Sequence, residues 1–209
     1  MLTFPLLLAL ASIHLTAVMT PGPNFLAVTQ TALAYSQRAG LWTVRGIATG
    51  SSFYVTLGLV GVAALLSQSE TLLLLIRAVG AIYFAYTGWK MLRAAWRTMP
   101  VEVIDSAETD KALSSLQAYQ RGVITALSNP AAMMYFLSLF TGFVPLTAAP
   151  YEKLWIGLLL VGITFGWYSI VALTFSRQRI RRLYQRSIRW MNAAFGLLWL
   201  FMALKLAGV

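Results

Sequence analysis

Long apolar stretches separated by short basic clusters make up nearly the whole chain. The first 37 residues contain no Lys, Arg, Asp or Glu. A run that long and that apolar predicts a membrane helix, which needs about 20 apolar residues. Apolar length and breaks predict six spans, at residues 4–35, 41–66, 71–95, 116–144, 153–176 and 187–207. The first and fourth are the longest, and both are interrupted by proline. The first contains Met19-Thr20-Pro21-Gly22-Pro23-Asn24, and the fourth contains Leu127-Ser128-Asn129-Pro130-Ala131-Ala132. Proline removes a backbone donor and clashes with the preceding turn. In hydrocarbon an unsatisfied backbone group costs several kcal/mol, so each break must face protein or a wet cavity.

Composition agrees with this pattern. Of the 209 residues, 59% are hydrophobic and 11% charged. Soluble domains carry about 25% charged residues. The chain is expected to be an all-α integral membrane protein with no room for a soluble catalytic domain. Leu6 to Ala11 could pass for the core of a signal peptide, but no Lys or Arg precedes it and the apolar run continues well beyond a normal cleavage point. It is read as a retained first span. There is no cysteine, which excludes disulfides and thiolate metal sites, and the single histidine, His14, excludes a multi-histidine metal site.

Charge fixes an orientation. The net charge is +10, but the basic residues flank apolar spans, so no nucleic acid partner is needed. Arg38 and Arg45 lie between spans one and two. Lys90, Arg93, Arg97, Lys111 and Arg121 lie between three and four. Arg177, Arg179, Arg181, Arg182, Arg186 and Arg189 lie between five and six. Only Arg77, Lys153 and Lys205 of the 16 basic residues fall on the other side. The positive-inside rule then puts these three loops in the cytoplasm and both termini outside. The Arg177 to Arg189 cluster is read as a topology anchor with head-group contacts, in preference to a dedicated lipid-docking surface.

One transporter domain, residues 1–209, is expected to consist of repeat one (1–97), a cytoplasmic linker (98–115) and repeat two (116–209). The linker carries Glu102, Asp105, Glu108 and Asp110, at a spacing that matches no metal-ligand loop. Each repeat holds three spans, and an odd number forces the two into opposite orientations. Gly80-Ala81-Ile82-Tyr83 in span three is echoed by Gly196-Leu197-Leu198-Trp199 in span six, as the two proline breaks echo each other. The predicted architecture is two inverted three-helix repeats with proline-broken helices one and four.

A broken helix offers free N–H groups at the start of its second half, which favour a carboxylate. It offers free carbonyls at the end of its first half, which favour an ammonium group. A zwitterion fits such a break. The candidate substrate-binding residues are therefore Thr20, Pro21, Gly22, Pro23, Asn24, Ser128, Asn129, Pro130 and Tyr83. Asn24 and Asn129 supply neutral donors and acceptors, and Thr20 and Ser128 can bond freed backbone groups. The plainer alternative is that the prolines only kink the helices and the asparagines cap the broken ends. His14, the one side chain that titrates near neutral pH, is the candidate proton relay; its alternative role is a neutral hydrogen-bonding partner between helices. The glycines Gly46, Gly50, Gly58 and Gly61, and Gly157, Gly162 and Gly166, read as close helix packing. Most Tyr and Trp residues read as an interfacial belt, with Tyr54, Tyr83 and Tyr135 deeper.

The constellation resembles the LysE/RhtB family of amino-acid exporters. The resemblance rests on Thr20-Pro21-Gly22-Pro23-Asn24, on Arg38-Ala39-Gly40 with Gly46-Ile47-Ala48-Thr49-Gly50, on the third-span run Gly80 to Arg93, and on Asn129-Pro130-Ala131-Ala132. Members often carry Lys where this chain has Ala131, and Asn or Asp where it has Asn24. The resemblance implies secondary-active efflux of amino acids or close derivatives, threonine- or homoserine-like or otherwise neutral, from the cytoplasm by alternating access. It implies an ion gradient, of protons, as the driving force, with antiport and no cofactor. It places the protein in the bacterial inner membrane among lipid, where a homo-oligomer is compatible with it. An exporter of metal or other cations on the same scaffold is the alternative. An enzyme is not expected: there is no Asp pair, no His-Glu-x-x-His and no partner serine for His14.

Overall fold

The computed structural model describes residues 3–66, 70–96, 113–144, 148–175 and 178–208. The four acids of the predicted linker lie outside them. The described residues form eight α-helices: α1 (Phe4–Met19), α2 (Pro23–Ala34), α3 (Gln37–Leu66), α4 (Glu70–Trp96), α5 (Ser115–Leu127), α6 (Pro130–Gly142), α7 (Pro150–Thr174) and α8 (Gln178–Ala207).

Pro21 stops α1 and Pro23 starts α2, while Pro130 both ends α5 and starts α6. Pro23 and Pro130 occupy the first helical position, where a missing N–H is harmless and the fixed φ already suits a helix. The result is a bend of 57° between α1 and α2 and of 59° between α5 and α6. Pro150–Thr174 and the stretch Arg186–Ala207 of α8 are long and apolar enough to cross a membrane, and each bent pair also qualifies when taken as one segment. α8 begins at Gln178, a full two turns before the predicted sixth span, because the basic segment ahead of that span is rich in good helix formers.

Contacts fix the chain senses. Gly80 abuts Leu206, Gly88 abuts Leu200 and Gly196 abuts Leu92, so α4 and α8 pack antiparallel. Gly40 meets Ala172 and Gly157 meets Val55, so α3 and α7 are antiparallel too. Thr43 donates to the Ala118 carbonyl at 3.1 Å and Tyr54 to the Leu127 carbonyl at 2.7 Å, so α3 and α5 run parallel. α3 is the central element, packed against α2, α5, α6 and α7.

One buried cluster gathers Phe84, Tyr135, Phe136, Leu139 and Trp199. A second gathers Phe25, Val44, Ile47, Phe175 and Tyr184 around the start of α2. The exterior is apolar as well: Phe53, Leu57, Leu74, Ile82, Trp89, Trp96, Leu154 and Trp155 are all exposed. So extensive an apolar exterior is what a lipid-facing surface requires.

Candidate functional site

A cavity of about 520 Å³ lies between the first break and α4, α6, α7 and α8. Most of the predicted site residues line it. Residues 20–24 contribute one side, Asn129 another, and Tyr83 and His14 also face it. Ser128 and Pro130 are not among its lining residues.

The two breaks differ in chemistry. At the second, Asn129 is the N-cap of α6, and its Oδ1 accepts from the N–H groups of Ala131 at 3.1 Å and Ala132 at 3.3 Å. The end of α5 is equally satisfied: Tyr54 donates to the Leu127 carbonyl, and the Asn129 N–H reaches the Ala126 carbonyl at 3.4 Å. Tyr83 adds a hydrogen bond to the Ala131 carbonyl at 3.0 Å. For Asn129, the capping role is the one the geometry displays.

At the first break the N-cap of α2 is Gly22, which has no side chain to offer. Pro21 and Pro23 lack the N–H groups that would have reached the Ala17 and Met19 carbonyls. The Thr20 N–H splits between the Thr16 and Ala17 carbonyls at 3.1 and 3.3 Å, and its hydroxyl turns back to Thr16 at 2.9 Å. Asn24 sits one residue beyond Pro23, past the capping position. Its amide stands beside Tyr168 of α7, and its Oδ1 is buried without a hydrogen-bond partner. The first break therefore keeps an uncapped helix start and an unpaired acceptor, while the second has used its own up.

His14 belongs to the buried part of the cavity wall. One ring nitrogen lies 2.8 Å from the Tyr135 hydroxyl and the other 2.8 Å from the Thr164 hydroxyl. A neutral imidazole donates through one nitrogen and accepts through the other, and hydroxyls complement either tautomer. His14 thus ties α1 to α6 and α7. Trp199 packs edge-on against Phe84 at 4.9 Å and Tyr135 at 5.7 Å beside it.

Sequence reasoning assigned Lys90 and Arg189 to cytoplasmic loops and gave no site role to Thr87, Thr164, Tyr168, Asn192 or Trp199. All seven line the cavity. Two signals were present. The chain has three asparagines, Asn24, Asn129 and Asn192, and all three face the cavity. Tyr83, Thr87 and Lys90 are spaced four and three apart, which forms one polar stripe along a helix. Among the described residues, no three His, Cys, Asp or Glu side chains are grouped so as to hold a metal ion.

Helices with an apolar exterior, two segments of them broken beside a cavity, are those of a membrane-embedded protein. A family model described as LysE type translocator matches residues 15–208. The threonine efflux protein of Escherichia coli K12 is 32% identical over 193 residues, 92% of this chain and 93% of that protein. The membrane protein YahN of the same strain is 32% identical over 188 residues, 89% of this chain and 82% of its own. The leucine efflux protein of Enterobacter sp. strain 638 is 30% identical over 131 residues, 63% of this chain and 60% of that protein. No solved structure matches the chain. The chain belongs to the LysE type translocators, a family of transporters and not of enzymes.

Proposed function

We propose that this protein is a secondary-active exporter that carries a neutral amino acid out of the cytoplasm, with the first break as its substrate site. The observation that carries this is the uncapped start of α2, with Asn24 beside it, on the wall of a cavity. The free N–H groups suit a carboxylate and the amide oxygen suits an ammonium group. Relatives named for threonine and leucine efflux support the cargo class. Cation export fits less well, because the charged residues among the described ones that line the cavity are Lys90 and Arg189, with no Asp or Glu.

The full architecture belongs to the same proposal: six spans in one domain, as two inverted repeats in a bacterial inner membrane. α3 and α4, with 30 and 27 residues, reach about 45 and 40 Å at 1.5 Å per residue, enough to cross a core of about 30 Å. The antiparallel and parallel senses of the helix pairs are those of six alternating spans with two broken. The cavity extends from the break to Ala94, Ala95, Ile188 and Arg189, the ends of α4 and α8 that the basic clusters assign to the cytoplasm. This is a cytoplasm-facing state. His14, Tyr135 and Thr164 close the far side, and a proton gradient drives the change of state.

Two measurements test this. Cells loaded with dipeptides are expected to release a few neutral amino acids into the medium when they express the protein, and not with an empty vector. No release of any amino acid from well-inserted protein would end the amino-acid assignment. For orientation, a cysteine in place of exposed Gln120 is expected to react with an impermeant maleimide only in inside-out vesicles, and one in place of Thr3 only in whole cells. The reverse labelling would invert the topology.

A further inference from the structure

We propose that Lys90 is the fixed counter-charge for the carboxylate of the cargo. Cargo is then limited to molecules that have a free carboxylate and no net positive charge. The inference rests on the amino-acid assignment above and names a residue and a selectivity for it.

Lys90 has the sequence signature of a topology residue, at the basic end of a span. Its position says more. It shares the cavity-lining face of α4 with Tyr83 and Thr87, while Arg93, one turn further along and also exposed, does not line the cavity. The next residue, Met91, is buried, and its Sδ is 4.0 Å from the Thr20 hydroxyl. This turn of α4 therefore stands against the first break, next to the uncapped start of α2.

The backbone beneath Lys90 is also fixed. Two residues earlier, a Cβ on Gly88 would lie 2.8 Å from the Gly196 carbonyl oxygen, and a Cβ on Gly196 would lie 2.9 Å from the Gly88 carbonyl oxygen. α4 and α8 touch backbone to backbone there, which only glycine permits. A flexible four-carbon stem thus projects from a rigid point at the cavity wall.

The cavity carries charge of one sign. Its charged lining residues, among those described, are Lys90 and Arg189, with Asn192 one turn after Arg189 on the same helix. Arg189 and Asn192 lie toward the basic end, and Lys90 lies level with the break. In a cavity with low-dielectric walls, unbalanced cations attract a carboxylate and repel a second cation more strongly than they would in water. The arrangement draws the carboxylate from Arg189 inward to Lys90 and the α2 start, and leaves the ammonium group to Asn24. Lysine and arginine, with a net positive charge, are rejected. An amino-acid amide lacks the anion and does not bind.

The test uses the whole purified protein in liposomes, with counterflow of labelled L-threonine. In the wild type, unlabelled L-threonine is expected to compete, and L-threoninamide and L-lysine are not. Lys90→Gln is expected to raise the KM about ten- to a hundred-fold, as for loss of a charged hydrogen bond, with Vmax little changed. Lys90→Arg keeps most of the affinity. Arg93→Gln, which removes the same charge outside the cavity, leaves KM unchanged and controls for topology. Wild-type counterflow with an unaltered KM in Lys90→Gln would overturn the proposal, as would competition by L-threoninamide equal to that by L-threonine. Counterflow absent for every amino acid tested would overturn the amino-acid assignment itself, and this inference with it.

Discussion

Asn24→Ala is expected to cut export by about ten-fold or more, the scale of a lost hydrogen bond to a charged group, with no loss of inserted protein. Asn129→Ala is expected to act first on stability. The two asparagines look equivalent in the sequence, each beside a proline at a break. In the structure Asn129 accepts from two backbone N–H groups at the start of α6, while Asn24 Oδ1 has no partner. Removing an N-cap costs about 1 kcal/mol. In a chain of this size that lowers Tm by about 2–4 °C. Asn24 gives the fold one side-chain hydrogen bond, to Tyr168, and the helix propensity gained with alanine at that position offsets part of its loss. Thermal unfolding of both purified variants, alongside export in cells, separates the roles. If Asn24→Ala lost as much stability as Asn129→Ala, the first break would be a structural kink and the substrate site would have to lie elsewhere in the cavity.

The sequence made the breaks legible and hid the difference between them. A missing N–H is a property of proline itself, so the ends of α1 and α5 fell where Pro21 and Pro130 required. Whether a neighbouring asparagine caps depends on its place relative to that proline. Asn129 precedes Pro130 and takes the extended N-cap conformation, with φ −85° and ψ 99°. Asn24 follows Pro23 and is already inside the helix. The partners of His14 were beyond reach for another reason: Tyr135 and Thr164 lie 121 and 150 residues away in the chain, and nothing local encodes the approach of α6 and α7 to α1. Lys90 was hidden by an assignment that was sound as far as it went. A cation near a span end satisfies the charge rule whichever way it faces, and the packing of α4 on α8 decides the facing.

Gly122→Val is expected to leave little folded protein and no export. α5 lies on α3 along a seam where a Cβ on Gly122 would run into the Thr43 carbonyl oxygen, and one on Gly46 into the Tyr119 carbonyl oxygen. Both obstacles are backbone, so no rotamer change relieves them. Overpacking a core against movable side chains already costs about 1–3 kcal/mol. Here one helix must leave the other. The hydrogen bonds along the seam go with it: Thr43 to Ala118, Tyr119 to Thr49 at 3.1 Å, and Tyr54 to Leu127 at the second break. The last of these holds the end of α5, so the seam that packs the helix also fixes the second break. Gly166→Val is the matched control, since a Cβ there meets nothing within 4 Å, and it is expected to express and transport as the wild type does. Yield of monodisperse protein in detergent, with export in cells, reads both variants. Equal yields would mean that α5 can move off α3 at little cost, and the seam could not then fix the second break.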